Sequence, residues 1–205
     1  EPGQNADALF VVPATANTLA AMAAGLAGEM LHAQILAFSG PMLAAPAMNP
    51  RMWRNPATQA NVDILRERGF LFVGPDSGVV ACHDEGQGRL ADLRMIYLAG
   101  LKALTPQDME GRSVMITLGP TREAWDDVRF WTNASTGVMG ASIAVAAWLR
   151  GAEVHAVCGP VDVWMPDDAA FHRHDVTSAR QMLEKARELW KSADVGVFTA
   201  AVADF

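Results

Sequence analysis

Short apolar runs separated by stretches of helical spacing set out the plan of this chain. Runs rich in Val, Ile, Leu and Phe recur at residues 8–12, 42–47, 70–73, 114–118, 154–157 and 195–199, each of a length suited to a buried strand. Between them the apolar positions return every three or four residues over 18–36, 56–67, 139–149 and 178–190, which predicts helices. This alternation predicts right-handed crossovers and an α/β fold of two doubly wound, Rossmann-like parallel-sheet modules, both incomplete. A helix-spaced segment at 90–104 leads into the polar stretch 105–111, which holds Pro106 and Gly111. The boundary is expected there, with domains over 1–104 and 112–205 and a linker between them. Each cut sheet would expose an edge and apolar surface, so poor stability alone or shielding by a partner is expected.

Several predicted strands end in residues able to carry chemistry. The peptide Pro46-Ala47-Met48-Asn49-Pro50-Arg51-Met52-Trp53 follows an apolar run bracketed by prolines, as in a strand covered on both faces. Ligands in open α/β sheets bind outside such strand ends, which puts Asn49 at a crevice. An Asn before a Pro also makes an ordinary turn, and both readings stand. Thr15, Ala16 and Asn17 follow the first strand and enter a helix, where small residues admit a flat ligand or Thr simply caps the helix. The glycine-punctuated loop 74–89 carries a lone thiol, Cys82, beside His83. Such a loop can close over a ligand and deliver an acid or nucleophile, or Cys82 can be a packed loop residue. His83 and Asp84 lack zinc-ligand geometry, and no metal ligand is assigned.

The second half holds Gly119-Pro120-Thr121-Arg122-Glu123 after a strand, then a run from Asp126 to Gly140 that enters a helix. Its glycines and hydroxyls suit a phosphate cradle, and Arg122 and Arg129 either neutralise an anion there or lie solvated on the surface. Phe198-Thr199-Ala200-Ala201-Val202-Ala203-Asp204 ends another strand with small residues, open to a base or ribose, and Asp204 suits a hydroxyl or a metal. The alternative is a close-packed core strand.

Composition narrows the classes. With 205 residues, 51% hydrophobic, the chain has enough apolar material for a core in each half. A net charge of −7 without blocks of like charge argues against a nucleic-acid surface. Cys82 and Cys158 lie far apart, which fits a reducing cytoplasm. The most apolar stretches are broken by Gly, Pro, His and Gln, so no membrane span is expected.

Read in order, PATANT, PAMNPRMW and the AC of ACHDEGQGR, then GPTRE, DDVRFWTN, STGVMG and AAVAD, closely resemble a bifunctional coenzyme A biosynthesis family: phosphopantothenoylcysteine decarboxylase followed by phosphopantothenate–cysteine ligase. The resemblance implies a lyase half that uses FMN and a ligase half that uses CTP and magnesium (Mg2+). In the first, Cys82 would donate a proton to the decarboxylated product, Asn49 would hold the substrate carboxylate and Met52 would help form the pocket. Thr15, Ala16 and Asn17 fall where the family contacts FMN. In the second, Phe198, Thr199, Ala200 and Asp204 fall at CTP, while Arg129 and Asn133 act on the acylated intermediate. Implied partners are the small molecules phosphopantothenate, cysteine and phosphopantothenoylcysteine, and further copies of the chain: a trimer through the first half, a dimer through the second.

The same resemblance implies truncation at both ends, with the family's catalytic histidine upstream of Glu1 and its CTP-binding lysine beyond Phe205. His83 stands where the family has Gly, and Thr136-Gly137-Val138-Met139 lacks the family's lysine. Two further readings follow from these departures: a non-catalytic flavin- or nucleotide-binding subunit, or an inactive relative.

Overall fold

Alternating burial in one strand shows how the first unit is layered. In the computed structural model, which describes residues 5–79 and 84–203, the chain divides into two units, Glu1–Leu104 and Thr105–Phe205. The first opens with β1 (Leu9–Ala14), α1 (Ala16–Ala24), α2 (Met30–Ala37) and β2 (Met42–Pro46). It continues through α3 (Pro50–Trp53), α4 (Pro56–Glu67) and β3 (Leu71–Phe72), then β4 (Asp76–Val79), β5 (Glu85–Arg89) and α5 (Leu93–Leu104). Strands β1, β2 and β3 form a parallel sheet in that order. Ala44 of β2 joins Leu19, Met22, Trp53, Val62 and Leu65 in one core, whereas its neighbours Leu43 and Ala45 pack with Ala91 and Ile96 on the other face. That two-sided burial is why β2 reads as an unbroken apolar run.

The second unit is wound both ways about its first strand. Its elements are β6 (Ser113–Leu118), β7 (Arg122–Ala124), β8 (Phe130–Thr132), α6 (Val138–Leu149), β9 (Glu153–Cys158), β10 (Phe171–Asp175), α7 (Ala179–Trp190) and β11 (Val195–Phe198). The parallel sheet runs β10-β9-β6-β11, so the chain steps outward from β6 to β10 and returns through α7 to the opposite side of β6. Met115 and Val157 pack against Met182 and Ala186 of α7. The protein is thus α/β with two parallel-sheet units. Among the described residues no helix is long and apolar enough to cross a membrane.

Several local features depart from the sequence reading. The single helix expected over 18–36 is two helices, because Gly25 takes the left-handed conformation (φ 67°) that ends α1. The loop expected over 74–89 contains the antiparallel pair β4 and β5. The stretch read as a linker is bonded into the second unit. Met109 N donates to Arg150 O at 3.0 Å, Gln107 Nε2 to Leu149 O at 3.0 Å, and Arg150 Nε to Asp108 Oδ1 at 2.7 Å.

Candidate functional site

Pairing of β1 with β2 brings two of the sequence-predicted groups to one end of the first sheet. Ala14 lies opposite Pro46, and Ala47 N donates to Ala14 O at 3.1 Å, so the residues following each strand emerge side by side. Thr15 is the N-cap of α1, its Oγ1 accepting from Thr18 N at 3.2 Å. Thr15 and Asn17 are exposed, while Ala14 is buried. The helix therefore begins at an accessible, small-residue strand end.

Asn49 makes the turn expected of an Asn before a Pro. It is the N-cap of α3, its Oδ1 accepting from Arg51 N at 2.8 Å. Its amide nitrogen points elsewhere, donating to Asp84 Oδ2 at 2.5 Å. Pro50 at the start of α3 fixes the helical φ and needs no donor. Trp53 is buried under the turn, whereas Met52 remains exposed.

The β4–β5 hairpin is laid over this peptide. Met48 N donates to Gly88 O at 3.0 Å, and a Cβ on Gly88 would stand 2.2 Å from Met48 O. A Cβ on Gly86 would meet Pro50 at 3.1 Å. Two glycines of the sequence GQG thus permit backbone-to-backbone approach. Cys82 lies outside the described residues; Asp84, two positions later, is the residue bonded to Asn49. The sequence reading gave Asp84 no role at this site, since the contact spans 35 positions and has no local signal.

In the second unit the candidate groups gather at the carboxyl ends of β6 and β11, where the winding reverses. Ligands of open α/β sheets bind at such a switch point. Thr199 N and Oγ1 both donate to Thr117 O, at 3.0 and 2.7 Å. Ala203 N donates to the buried Thr121 Oγ1 at 2.9 Å, and Asn133 Nδ2 to Val202 O at 3.0 Å. Gly137, left-handed at φ 73°, starts α6 beside Leu118 and Gly119. Thr199, Ala200, Asn133 and the α6 start therefore share one end of the sheet. Asp204 lies outside the described residues.

Two predicted groups point elsewhere. Phe198 is 66% exposed and rests against Trp190 with ring centroids 5.9 Å apart. Arg129 is held within its own turn: Nε donates to Asp126 Oδ2 at 2.7 Å, and its guanidinium lies 5.5 Å from the Trp125 ring centre. The hydrogen bond from Arg129, with those from Val128 N and Arg129 N, keeps the Asp126 carboxyl below its usual range. Arg122 lies over Phe130 at 4.8 Å.

Comparison with known proteins follows the same division. Residues 1–101 match the Flavoprotein family, and residues 109–205 match the DNA/pantothenate metabolism flavoprotein C-terminal domain. The Coenzyme A biosynthesis bifunctional protein CoaBC of Bacillus subtilis is 42% identical over 203 residues, 98% of this chain and 50% of that protein. Its namesake in Escherichia coli is 41% identical over 206 residues, 100% of this chain and 50% of that protein. A solved structure of the C-terminal domain of CoaBC is 45% identical, covering 47% of this chain and 48% of its own, with a TM-score of 0.44. The FMN-dependent cysteine decarboxylase SpaF is 41% identical over 50% of this chain and 55% of its own, with a TM-score of 0.42. The chain spans about half the length of the curated relatives it matches.

Proposed function

We propose, for a chain homologous along nearly its whole length to the coenzyme A biosynthesis bifunctional proteins, that it works in coenzyme A biosynthesis as part of a flavoprotein decarboxylase and ligase. The first unit would decarboxylate phosphopantothenoylcysteine. The observation that carries this reading is the seating of the β4–β5 hairpin on the Asn49 peptide, with the Asn49 amide donating to a carboxylate. Asn49 then orients the carboxylate that leaves, Met52 lines the exposed side, and Cys82 delivers a proton to the product.

Loss of carbon dioxide from a cysteine-type carboxylate needs somewhere for the electron pair to go, and no side chain of the Asn49 peptide offers one. Membership of the first 101 residues in the Flavoprotein family supports FMN for this task. Thr15, Ala16 and Asn17 would hold it, and the exposed, small-residue strand end fits a flat ring. FMN supplies reversible two-electron oxidation when bound.

The second unit would ligate cysteine to phosphopantothenate with CTP and magnesium. Thr199, Ala200 and Asp204 would face the nucleotide, with Asn133 at the acyl group; Phe198 and Arg129 would join them only on leaving their contacts with Trp190 and Asp126. The switch point between β6 and β11 and the glycine-led start of α6 support nucleotide binding. The exposed Trp125, Val128, Phe130 and Trp131 of the β7–β8 hairpin support pairing with a second copy. A trimer through the first unit and residence in the cytoplasm complete the reading.

Titration of the purified chain with FMN tests the first unit: flavin fluorescence should quench on binding, and phosphopantothenoylcysteine should then perturb the flavin spectrum. Unchanged fluorescence at saturating FMN would sink the decarboxylase reading. Ligation is tested separately by release of pyrophosphate from CTP with phosphopantothenate, magnesium and cysteine.

A further inference from the structure

We propose that the outer edge of the second sheet is a binding site for a divalent transition ion of the zinc class, built from Glu153, His155 and His172. Strands β9 and β10 pair in parallel with His155 opposite His172. The side-chain period of two sets Glu153 and His155 on one face of β9, and His172 and His174 on the same face of β10. Four polar side chains able to bind or orient a metal therefore share one surface.

Their spacing fits coordination. Glu153 Oε1 lies 3.1 Å from His172 Nε2 and 3.7 Å from His155 Nε2, and one ligand atom from each of the three lies within 4.8 Å of the others. A tetrahedral zinc with bonds of about 2.0–2.1 Å has ligands roughly 3.3–3.4 Å apart, so the two measured separations bracket the required edge. The His155 and His172 rings stack with centroids 4.7 Å apart and planes at 20°.

His174 supplies the outer support that such sites need. Its Nε2 lies 3.2 Å from His155 Nδ1. With the proton on His155 Nδ1, donated to His174, the lone pair of His155 Nε2 faces Glu153. A partner on the far nitrogen is how proteins fix the tautomer of a ligating histidine. Two imidazoles and one carboxylate suit zinc, cobalt or nickel and disfavour magnesium. The exposed side of Glu153 leaves the fourth position to water, and the ion would pin the edge strand β10 to β9. This inference is independent of the proposed decarboxylation and ligation.

The test is titration of the whole chain, stripped with EDTA, using Co2+ as the spectroscopic probe and Zn2+ as competitor. One equivalent of Co2+ should give the visible bands of a four-coordinate ion, Zn2+ should abolish them, and excess Mg2+ should not. Zn2+ should also raise the unfolding temperature. Glu153→Gln, which keeps size at an exposed position, and His172→Ala should each weaken binding by at least about tenfold. His174→Ala, which removes no ligand, should weaken it by about 10- to 100-fold. Absence of Co2+ and Zn2+ binding, or binding that Glu153→Gln and His172→Ala both leave intact, overturns the proposal.

Discussion

Asn49 and Asp84 are joined by a hydrogen bond of 2.5 Å from the amide nitrogen to a carboxylate oxygen. The bond ties the end of a buried strand to the start of β5, and it gives one of the two amide N–H donors to the same chemical group that the proposed substrate would present. A substrate carboxylate bound to the same amide would meet the charge of Asp84. Asp84→Asn keeps the shape and removes the competing charge, so substrate should bind more tightly to the FMN-loaded protein. Asn49→Asp sets a second carboxylate in place of the donor and should cost about 1.5–3 kcal/mol of substrate affinity, roughly a tenfold to hundredfold loss. Flavin spectral titrations with both variants check the pair. An unchanged affinity in Asn49→Asp would remove Asn49 from the site.

The hairpin's seat depends on a glycine. With a Cβ on Gly88 placed 2.2 Å from Met48 O, Gly88→Ala must push the hairpin away and break the bond from Met48 N to Gly88 O. The amide of Met48 should exchange with deuterium faster than in the parent, while the amides of β2 within the sheet stay protected. Equal protection of Met48 in both proteins would show that the backbone approach is not needed.

Cys158 should be chemically silent. It is fully buried at the end of β9, its thiol bonded to Ala156 O at 3.4 Å, and burial pushes its pKa up to about 12 from 9.0. A shift of this size leaves roughly a thousandfold less thiolate at neutral pH than in an exposed thiol. Peptide mapping after iodoacetamide at pH 8 should find Cys158 unmodified in native protein and modified after denaturation. The same shift has a sign for stability. The neutral thiol is favoured in the folded state, so its contribution is complete below pH 9 and is lost as pH rises toward 12. Cys158→Ala should flatten that part of the stability profile.

The alternating plan was legible because both sheets are covered by helices, which makes β2 apolar throughout and β6 largely so. Strand β10 was not, since its sequence FHRHD is polar and lies at a sheet edge where one neighbour suffices. Strands β4 and β5 were hidden by their glycines, of which Gly86 and Gly88 in β5 serve close approach to the Asn49 peptide. Asn49 could be named from its place after a strand, but neither its bond to Asp84 nor the capture of Arg129 by Asp126 follows from spacing. The first depends on which loops the fold brings together and the second on the geometry of a single turn, and apolar periodicity carries neither.

Gly140 gives the second unit its sharpest test, because three separated segments meet there. A Cβ at this position would stand 2.3 Å from Thr199 Oγ1 and 2.5 Å from Leu118 Cβ. The Thr199 hydroxyl is fixed by its 2.7 Å bond to Thr117 O, and Leu118 is fully buried at the end of β6. Neither neighbour can yield without cost, so α6 must shift off the sheet. Gly140→Ala should destabilise by about 1–3 kcal/mol, the usual penalty of overpacking a filled core. Because α6 begins at Gly137 beside the switch point, the shift should also weaken any nucleotide bound there. Thr199→Ala removes the nearer obstacle but leaves Leu118, so adding it to Gly140→Ala should recover only part of the loss. Chemical denaturation of the two single variants and the double variant measures that coupling. Strict additivity would mean that Gly140 and Thr199 do not contend for the same space, and the close approach of α6 to β11 would then play no part in forming the crevice.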